Sequence, residues 1–308
     1  MSTLVFGHKA PDTDTTGSAI LWAWYLNDVL GQTAEAVLLG EPNTEAAWLL
    51  KKYDLPKPRI IDDVEDGQRV VIVDTNNPAE LPANINNADI RRIIDHHRLV
   101  PGLQTKGPIN ITMKPLACTA TIIHKLIGRD AEQMPDWAKG TMLACILSDT
   151  LEFRSPTTTE TDKKLARKLA EELDVQIPAF ASDMFAAKSD VSAFSDAELL
   201  RMDSKETEID GRKFRVSVLE TTSPETVLSR KDALIASMRD VAEEDGVEEV
   251  LLFIVDILKE EATMLLPNDT VRGIAEKSFS TVCGKEADQV VLPGIVSRKK
   301  QIIPNLTL

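Results

Sequence analysis

Apolar residues in the first half of the chain fall into short runs separated by helix-length stretches. Leu4-Val5-Phe6 is followed by helical spacing over residues 15–30, an apolar segment at 36–39, a second helical stretch through Trp48 and Leu50, and two β-branched runs at 70–73 and 90–94. Strand-like runs alternating with helical ones predict a mainly parallel sheet flanked by helices. The runs that begin at Leu4, Val70 and Ile90 each stop at a polar cluster. Open α/β sheets place their ligands beyond such strand ends. Residues 118–187 read as mostly helical, with segments at 137–147, 159–173 and 179–187.

The texture changes after Lys188-Ser189-Asp190-Val191-Ser192-Ala193, a small, polar stretch of the kind that joins domains. The expected division is residues 1–187, a linker at 188–194 and a second domain at 195–308. Within the latter, Asp210-Gly211 sits between two alternating segments, a strong hairpin signal. A long helix is expected over residues 224–244 and a strand over 250–255, with further short strands to the end. The expectation is therefore an α/β protein: a parallel-sheet domain followed by a smaller α/β domain with a mixed sheet. There is no internal repeat or low-complexity tract.

Composition agrees with two cores. The chain has 308 residues, 43% of them hydrophobic, and single cores rarely grow past ~250 residues. A net charge of −14 argues against a general nucleic-acid binder, which needs clustered Lys and Arg over a broad surface. The start of the chain carries no export-signal pattern, and no apolar run reaches the roughly 18 residues of a membrane span. The three cysteines, Cys118, Cys145 and Cys283, are widely spaced. A reduced, cytoplasmic setting is expected.

Four constellations carry candidate chemistry. The first, Gly7-His8-Lys9-Ala10-Pro11-Asp12-Thr13-Asp14, lies between a strand and a helix. One imidazole and two carboxylates there suit a divalent cation that takes mixed nitrogen and oxygen ligands, although Asp14 or Thr15 could simply cap the helix. The second is Val73-Asp74-Thr75-Asn76, which on its own reads as turn chemistry. The third is Asp95-His96-His97-Arg98, holding two of the chain's four histidines; His124, in a helical run, reads as structural. The fourth is Ser148-Asp149-Thr150 after an apolar run. Converging, Asp12, Asp14, Asp74 and Asp149 would repel and raise at least one pKa. Two divalent cations would offset that charge and acidify a shared water.

The His8-x-x-x-Asp12-x-Asp14 spacing, Asp74-x-Asn76 and Asp95-His96-His97 resemble the DHH phosphoesterase superfamily. Ser297-Arg298-Lys299-Lys300-Gln301, together with Lys205, is similar to the manganese-dependent family II inorganic pyrophosphatases. The resemblance spans the whole chain. It implies that His8 and Asp12 hold one metal, that Asp14 and His96 hold the other, that Asp74 bridges them and that Asp149 completes the cluster. His97, Lys205, Arg298 and Lys299 would contact pyrophosphate in the cleft between the domains. The implied cofactors are two Mn2+ per subunit, with Co2+ as a substitute, and additional Mg2+ or Mn2+ with the substrate. A homodimer through the N-terminal domain is also implied.

Thr75 stands where many members of that family have histidine, and a regulatory insertion found in some relatives is absent. The competing readings are a short-chain polyphosphatase, another DHH phosphoesterase, or a non-catalytic metal-binding regulator. The last would have lost a ligand or clamp residue, and all are present. His96 and His97 follow a strand, so their side chains are expected to point in opposite directions.

Overall fold

The computed structural model describes residues 2–308, which form two compact units. In the first, which runs to Lys188, five strands are ordered β2-β1-β3-β4-β5: β1 Thr3–Phe6, β2 Ala34–Ala36, β3 Arg69–Val73, β4 Asp89–Asp95 and β5 Asn110–Met113. All neighbours are parallel, as the alternating pattern predicts. The inner strands are buried almost continuously, because a parallel sheet is covered on both faces. Leu4, Phe6, Val70, Ile72, Ile90 and Ile93 form one buried face with Val37, Leu81 and Ile85.

Against the sheet lie α1 (Thr13–Trp24), which packs on β1, β2 and β3, and α3 (Thr119–Ile127), which packs on β4. The helix expected over residues 15–30 begins two residues early, and after Trp24 it widens into a π-helical turn, Tyr25–Val29. α4 (Asp136–Asp149) packs on α1, α3 and α5 (Glu160–Glu172), while α2 (Thr44–Lys52) packs on α6 (Ile177–Lys188). β1 has β2 on one side and β3 on the other, so the chain reverses its direction of travel across the sheet at the β1/β3 boundary. Such a switch point opens a crevice at the strand carboxyl ends. Gly7 belongs to that crevice: a Cβ there would come 2.8 Å from the Val73 carbonyl and 2.6 Å from the Thr15 methyl.

The second unit, Ser189–Leu308, has a mixed sheet ordered β10-β9-β8-β7-β6. Its strands are β6 Ser204–Ile209, β7 Arg212–Thr221, β8 Glu249–Asp256, β9 Glu261–Leu265 and β10 Gln289–Pro293, with only β7 and β8 parallel. The β6–β7 hairpin turns on Asp210 (φ 48°) and Gly211 (φ 80°), the two left-handed positions of the tight turn that matches strand twist. The single helix expected over 224–244 is two, α8 (Glu225–Leu228) and α9 (Lys231–Asp245), interrupted at Ser229-Arg230. Two further helices, α7 (Asp196–Met202) and α10 (Asp269–Phe279), complete the unit; α10 falls in the stretch after residue 255 expected to hold short strands, of which β9 and β10 form. Among the described residues no helix is long and apolar enough to cross a membrane.

Candidate metal centre

Asp74 follows the last residue of β3 with φ of 60°. That left-handed conformation is uncommon for a residue with a side chain, though Asp tolerates it better than most. Its backbone N–H still donates to the Ile94 carbonyl at 2.9 Å, so the strand stays paired while the carboxylate turns into the crevice. There Oδ2 accepts from the Thr15 hydroxyl at 2.6 Å and Oδ1 from the Thr119 hydroxyl at 3.1 Å. His8 Nε2 lies 3.5 Å from Oδ2, and His96 Nε2 lies 3.3 Å from Oδ1. Asp74 thus sits between two imidazoles, and it is 2% exposed.

The other carboxylates are fixed by helix ends. Asp12 is the N-cap of α1: its Oδ1 accepts from Thr15 N at 2.9 Å, while its Oδ2 lies 3.5 Å from His8 Nε2. Capping and site roles therefore fall on one residue, and the cap is neither Asp14 nor Thr15. Asp14, in the first turn of α1, reaches the start of α3 and accepts from Thr119 N at 2.6 Å, Ala120 N at 3.1 Å and the Ser18 hydroxyl at 3.0 Å. Helix N-termini favour such anions. Asp149 ends α4, with Oδ2 3.8 Å from His96 Nε2. Just beyond it Leu151, Glu152 and Phe153 all have positive φ, a run of left-handed backbone without glycine that stores strain beside the site.

The two adjacent histidines do not diverge as strand alternation suggests. β4 ends at Asp95, so the alternation no longer applies at His96 and His97, and their rings pack with centroids 4.2 Å apart. What separates them is hydrogen bonding. His96 Nδ1 faces the Leu116 carbonyl at 3.2 Å, which directs Nε2 toward the carboxylates of the cluster, the orientation a metal-binding imidazole needs. His97 Nδ1 lies 2.9 Å from Asp95 Oδ1, 4.0 Å from Asp74, and the His97 side chain is 54% exposed. Asp95 is fully buried, and its other oxygen, Oδ2, accepts from the Asn76 amide at 2.5 Å. Asn76 also binds Arg98 O and Val100 N, stitching the end of β3 to the loop after β4.

These contacts set the charges. Burial opposes the imidazolium of His8, but Asp12 and Asp74 outweigh it and raise its pKa to about 10. For His96, burial again opposes, and Asp74 with Asp14 raise it to about 9. Burial and the Asp74 charge push Asp14 up to about 8, and burial with Asp14 raises Asp149 well above the carboxylate range. Asp74 itself is held below that range by His8 and His96 despite its burial. Three sets of donor atoms lie within 4.8 Å of one another: His8, Asp12 and Asp74; Asp14, His96 and Asp149; and Asp74, His96 and His97. Mixed imidazole and carboxylate donors, overlapping at Asp74 and His96, fit transition-metal dications.

A cavity of about 500 Å³ adjoins the cluster, lined by His8, Lys9, Thr75, Asn76, Glu80, His97 and Arg98 among others. In it the Thr75 hydroxyl donates to Glu80 Oε2 at 2.6 Å. The basic candidates belong to the second unit. Lys205 is exposed on the edge strand β6, and Lys299 is exposed on the helical turn Arg298–Ile302. Arg298 Nη1 binds the Asp203 carbonyl and carboxylate, each at 2.7 Å, which ties that turn to the start of β6. Gln301 Oε1 accepts from Val296 N and Ser297 N, both at 3.0 Å, which locks the motif's backbone.

Residues 2–148 match the DHH family, N-terminal domain, and residues 182–308 match the DHHA2 domain. Proteins described as probable manganese-dependent inorganic pyrophosphatases are similar along their whole length. That of Lactobacillus helveticus is 35% identical, covering 98% of this chain and 97% of its own; that of Shouchella clausii is 36% identical, covering 99% and 97%. A Methanococcus jannaschii protein, whose crystal structure is described as that of a "putative family II inorganic pyrophosphatase", superposes with a TM-score of 0.60 at 31% identity, over 99% of this chain and 98% of that one. An exopolyphosphatase-related protein of Bacteroides fragilis, TM-score 0.50 at 13% identity over 98% and 89%, shares the fold.

Proposed function

The chain, with a DHH domain followed by a DHHA2 domain, belongs to the manganese-dependent inorganic pyrophosphatases, and from that membership we propose that it hydrolyses pyrophosphate to two phosphates at the cluster around Asp74. The observation that carries the reading is the overlap of three donor sets at the β1/β3 switch point. His8 and Asp12 would hold one Mn2+ and Asp14 and His96 the other, with Asp74 shared and Asp149 completing the set; Co2+ would substitute. Held there, the cations would neutralise the carboxylates and make a water acidic enough to ionise near neutral pH.

The chain's own groups do the rest. The Leu116 carbonyl, Thr15 and Thr119 keep the His96 ring and the Asp74 carboxylate in their orientations. His97, whose pKa is raised by its hydrogen bond to Asp95, donates to a phosphate oxygen and stabilises developing charge. Lys205, Arg298 and Lys299 bind the polyanion, which would carry additional Mg2+ or Mn2+. The −14 net charge disfavours nucleic acid as substrate. Three free thiols suit a reduced, cytoplasmic setting. Homodimerisation through the first unit is supported by the edge strand β5, where Ile111 is 56% exposed beside Leu99 at 73%.

The deciding experiment measures phosphate release by the Mn2+-loaded protein from pyrophosphate, tripolyphosphate, ATP and a dinucleotide. Release from pyrophosphate should dominate. Preferential turnover of tripolyphosphate or of the dinucleotide would replace this reading with a polyphosphatase or a nuclease.

A further inference from the structure

Glu45, on α2, is a fully buried acidic residue outside the donor sets described above. Burying a carboxylate is costly unless it is paired and hydrogen-bonded, and an apolar residue of similar volume is often the more stabilising choice. Its partners show what it does. A single oxygen, Oε1, accepts from the Thr13 hydroxyl at 2.5 Å and from the Ser148 hydroxyl. Thr13 stands between Asp12 and Asp14 at the start of α1, and Ser148 precedes Asp149 at the end of α4. One atom therefore ties together the two chain segments that carry three of the four clustered carboxylates. The second oxygen, Oε2, has no hydrogen-bond partner and faces Lys188 Nζ at 3.6 Å. Thr13 is fully buried and Ser148 is 7% exposed, so water has little access to replace either bond.

We propose that Glu45 is a positioning residue: by holding Thr13 and Ser148 on one oxygen it fixes the spacing of Asp12 and Asp14 from Asp149 and thereby sets metal affinity. This rests on the metal-site reading above. Groups that orient ligands from outside typically change affinity by about 10- to 100-fold. The geometry also separates two roles within the one side chain. A glutamine keeps an oxygen acceptor for both hydroxyls but removes the charge opposite Lys188, whereas alanine removes everything.

Metal-stripped protein is titrated with Mn2+ while free Mn2+ is followed by electron paramagnetic resonance, and the thermal midpoint of each metal-free protein is measured alongside. Glu45→Ala should bind Mn2+ about 10- to 100-fold more weakly, and Glu45→Gln should recover most of the affinity. If alanine binds like wild type, or if glutamine loses as much affinity as alanine, the positioning role is wrong. Should Glu45→Ala fail to fold, Thr13→Val and Ser148→Ala remove the same bonds singly; each should weaken Mn2+ binding, and unchanged affinity in both refutes the proposal. Wild-type protein that binds no Mn2+ would instead refute the metal site itself.

Discussion

Asp95 holds His97 twice: the same carboxylate oxygen lies 3.0 Å from the His97 backbone N and 2.9 Å from its ring Nδ1. His96, one residue earlier, turns its ring nitrogen to Asp74 instead. Two packed rings thus face different partners. His96→Gln should weaken Mn2+ binding, whereas His97→Gln should keep both metals and mainly lower turnover. Metal content and kinetics of the pair, measured side by side, check this. Equal metal loss would mean that His97 is a ligand, as its distance to Asp74 permits.

Asp95→Asn extends the same argument. Asn keeps the shape but removes the charge that raises His97, so the proton on His97 should be lost at a lower pH. The expected result is a turnover loss of about 10- to 100-fold with metal content unchanged, and an alkaline limb of the rate profile displaced to lower pH. A profile that does not move would show that His97 is not the group being tuned.

The pH dependence of the metal-free protein follows from the raised values of His8, His96 and Asp14. A raised folded pKa means that the folded state holds protons the unfolded chain releases, so stability falls as pH rises. For the histidines this contribution is complete below 6.5 and is lost as pH climbs through about 9 and about 10. For Asp14 the decline begins above 3.8 and runs to about 8. The thermal midpoint of the metal-free protein should therefore drop between roughly pH 6 and 9, and Mn2+ binding should release protons. Calorimetric heats at neutral pH should differ between buffers of different ionisation enthalpy; identical heats would show that no proton leaves.

Arg298→Ala and Lys205→Ala should each lower turnover by orders of magnitude while Mn2+ stays bound. Arg298 also binds Asp203, so its loss should loosen the turn that carries Lys299, and KM should rise with the fall in kcat. Loss of metal in either variant would mean that these residues do not act on the substrate.

Much of this site was legible because its chemistry sits on strand ends. His8, Asp74 and His96 are polar residues that break apolar runs, and a parallel sheet brings such breaks together at one edge. Asp149 was legible only as a motif, since a lone Asp at the end of a helix has ordinary reasons to be there. Three elements are not marked by an apolar run: β5, a half-exposed edge strand, the short helix α7, and α10, whose buried Val271, Ile274 and Ala275 are spaced too widely to form one. The supporting groups Thr15, Thr119 and Glu45 were invisible, because a hydroxyl or carboxylate declares its partner only once helices from distant parts of the chain meet. The direction of His97 is not given by strand alternation, because β4 ends at Asp95, two residues before it.

That meeting of helices can be tested where it is tightest. α1 carries Asp14 and α4 ends at Asp149, and the two cross at Gly17, where a Cβ would lie 2.3 Å from Cys145 Sγ and 3.0 Å from the Thr141 methyl. Gly17→Ala must force the helices apart or strain the sulfur, at a cost of about 1–3 kcal/mol. Separation would also move Asp14 from Asp149, so Mn2+ affinity should fall with stability. Cys145→Ala removes the obstructing sulfur. In the double variant Gly17→Ala/Cys145→Ala the new methyl group occupies part of the vacated space, and the two effects should be strongly non-additive. Thermal midpoints and Mn2+ titrations of the four proteins complete the cycle. Additive losses would show that helix spacing at Gly17 does not control the metal centre.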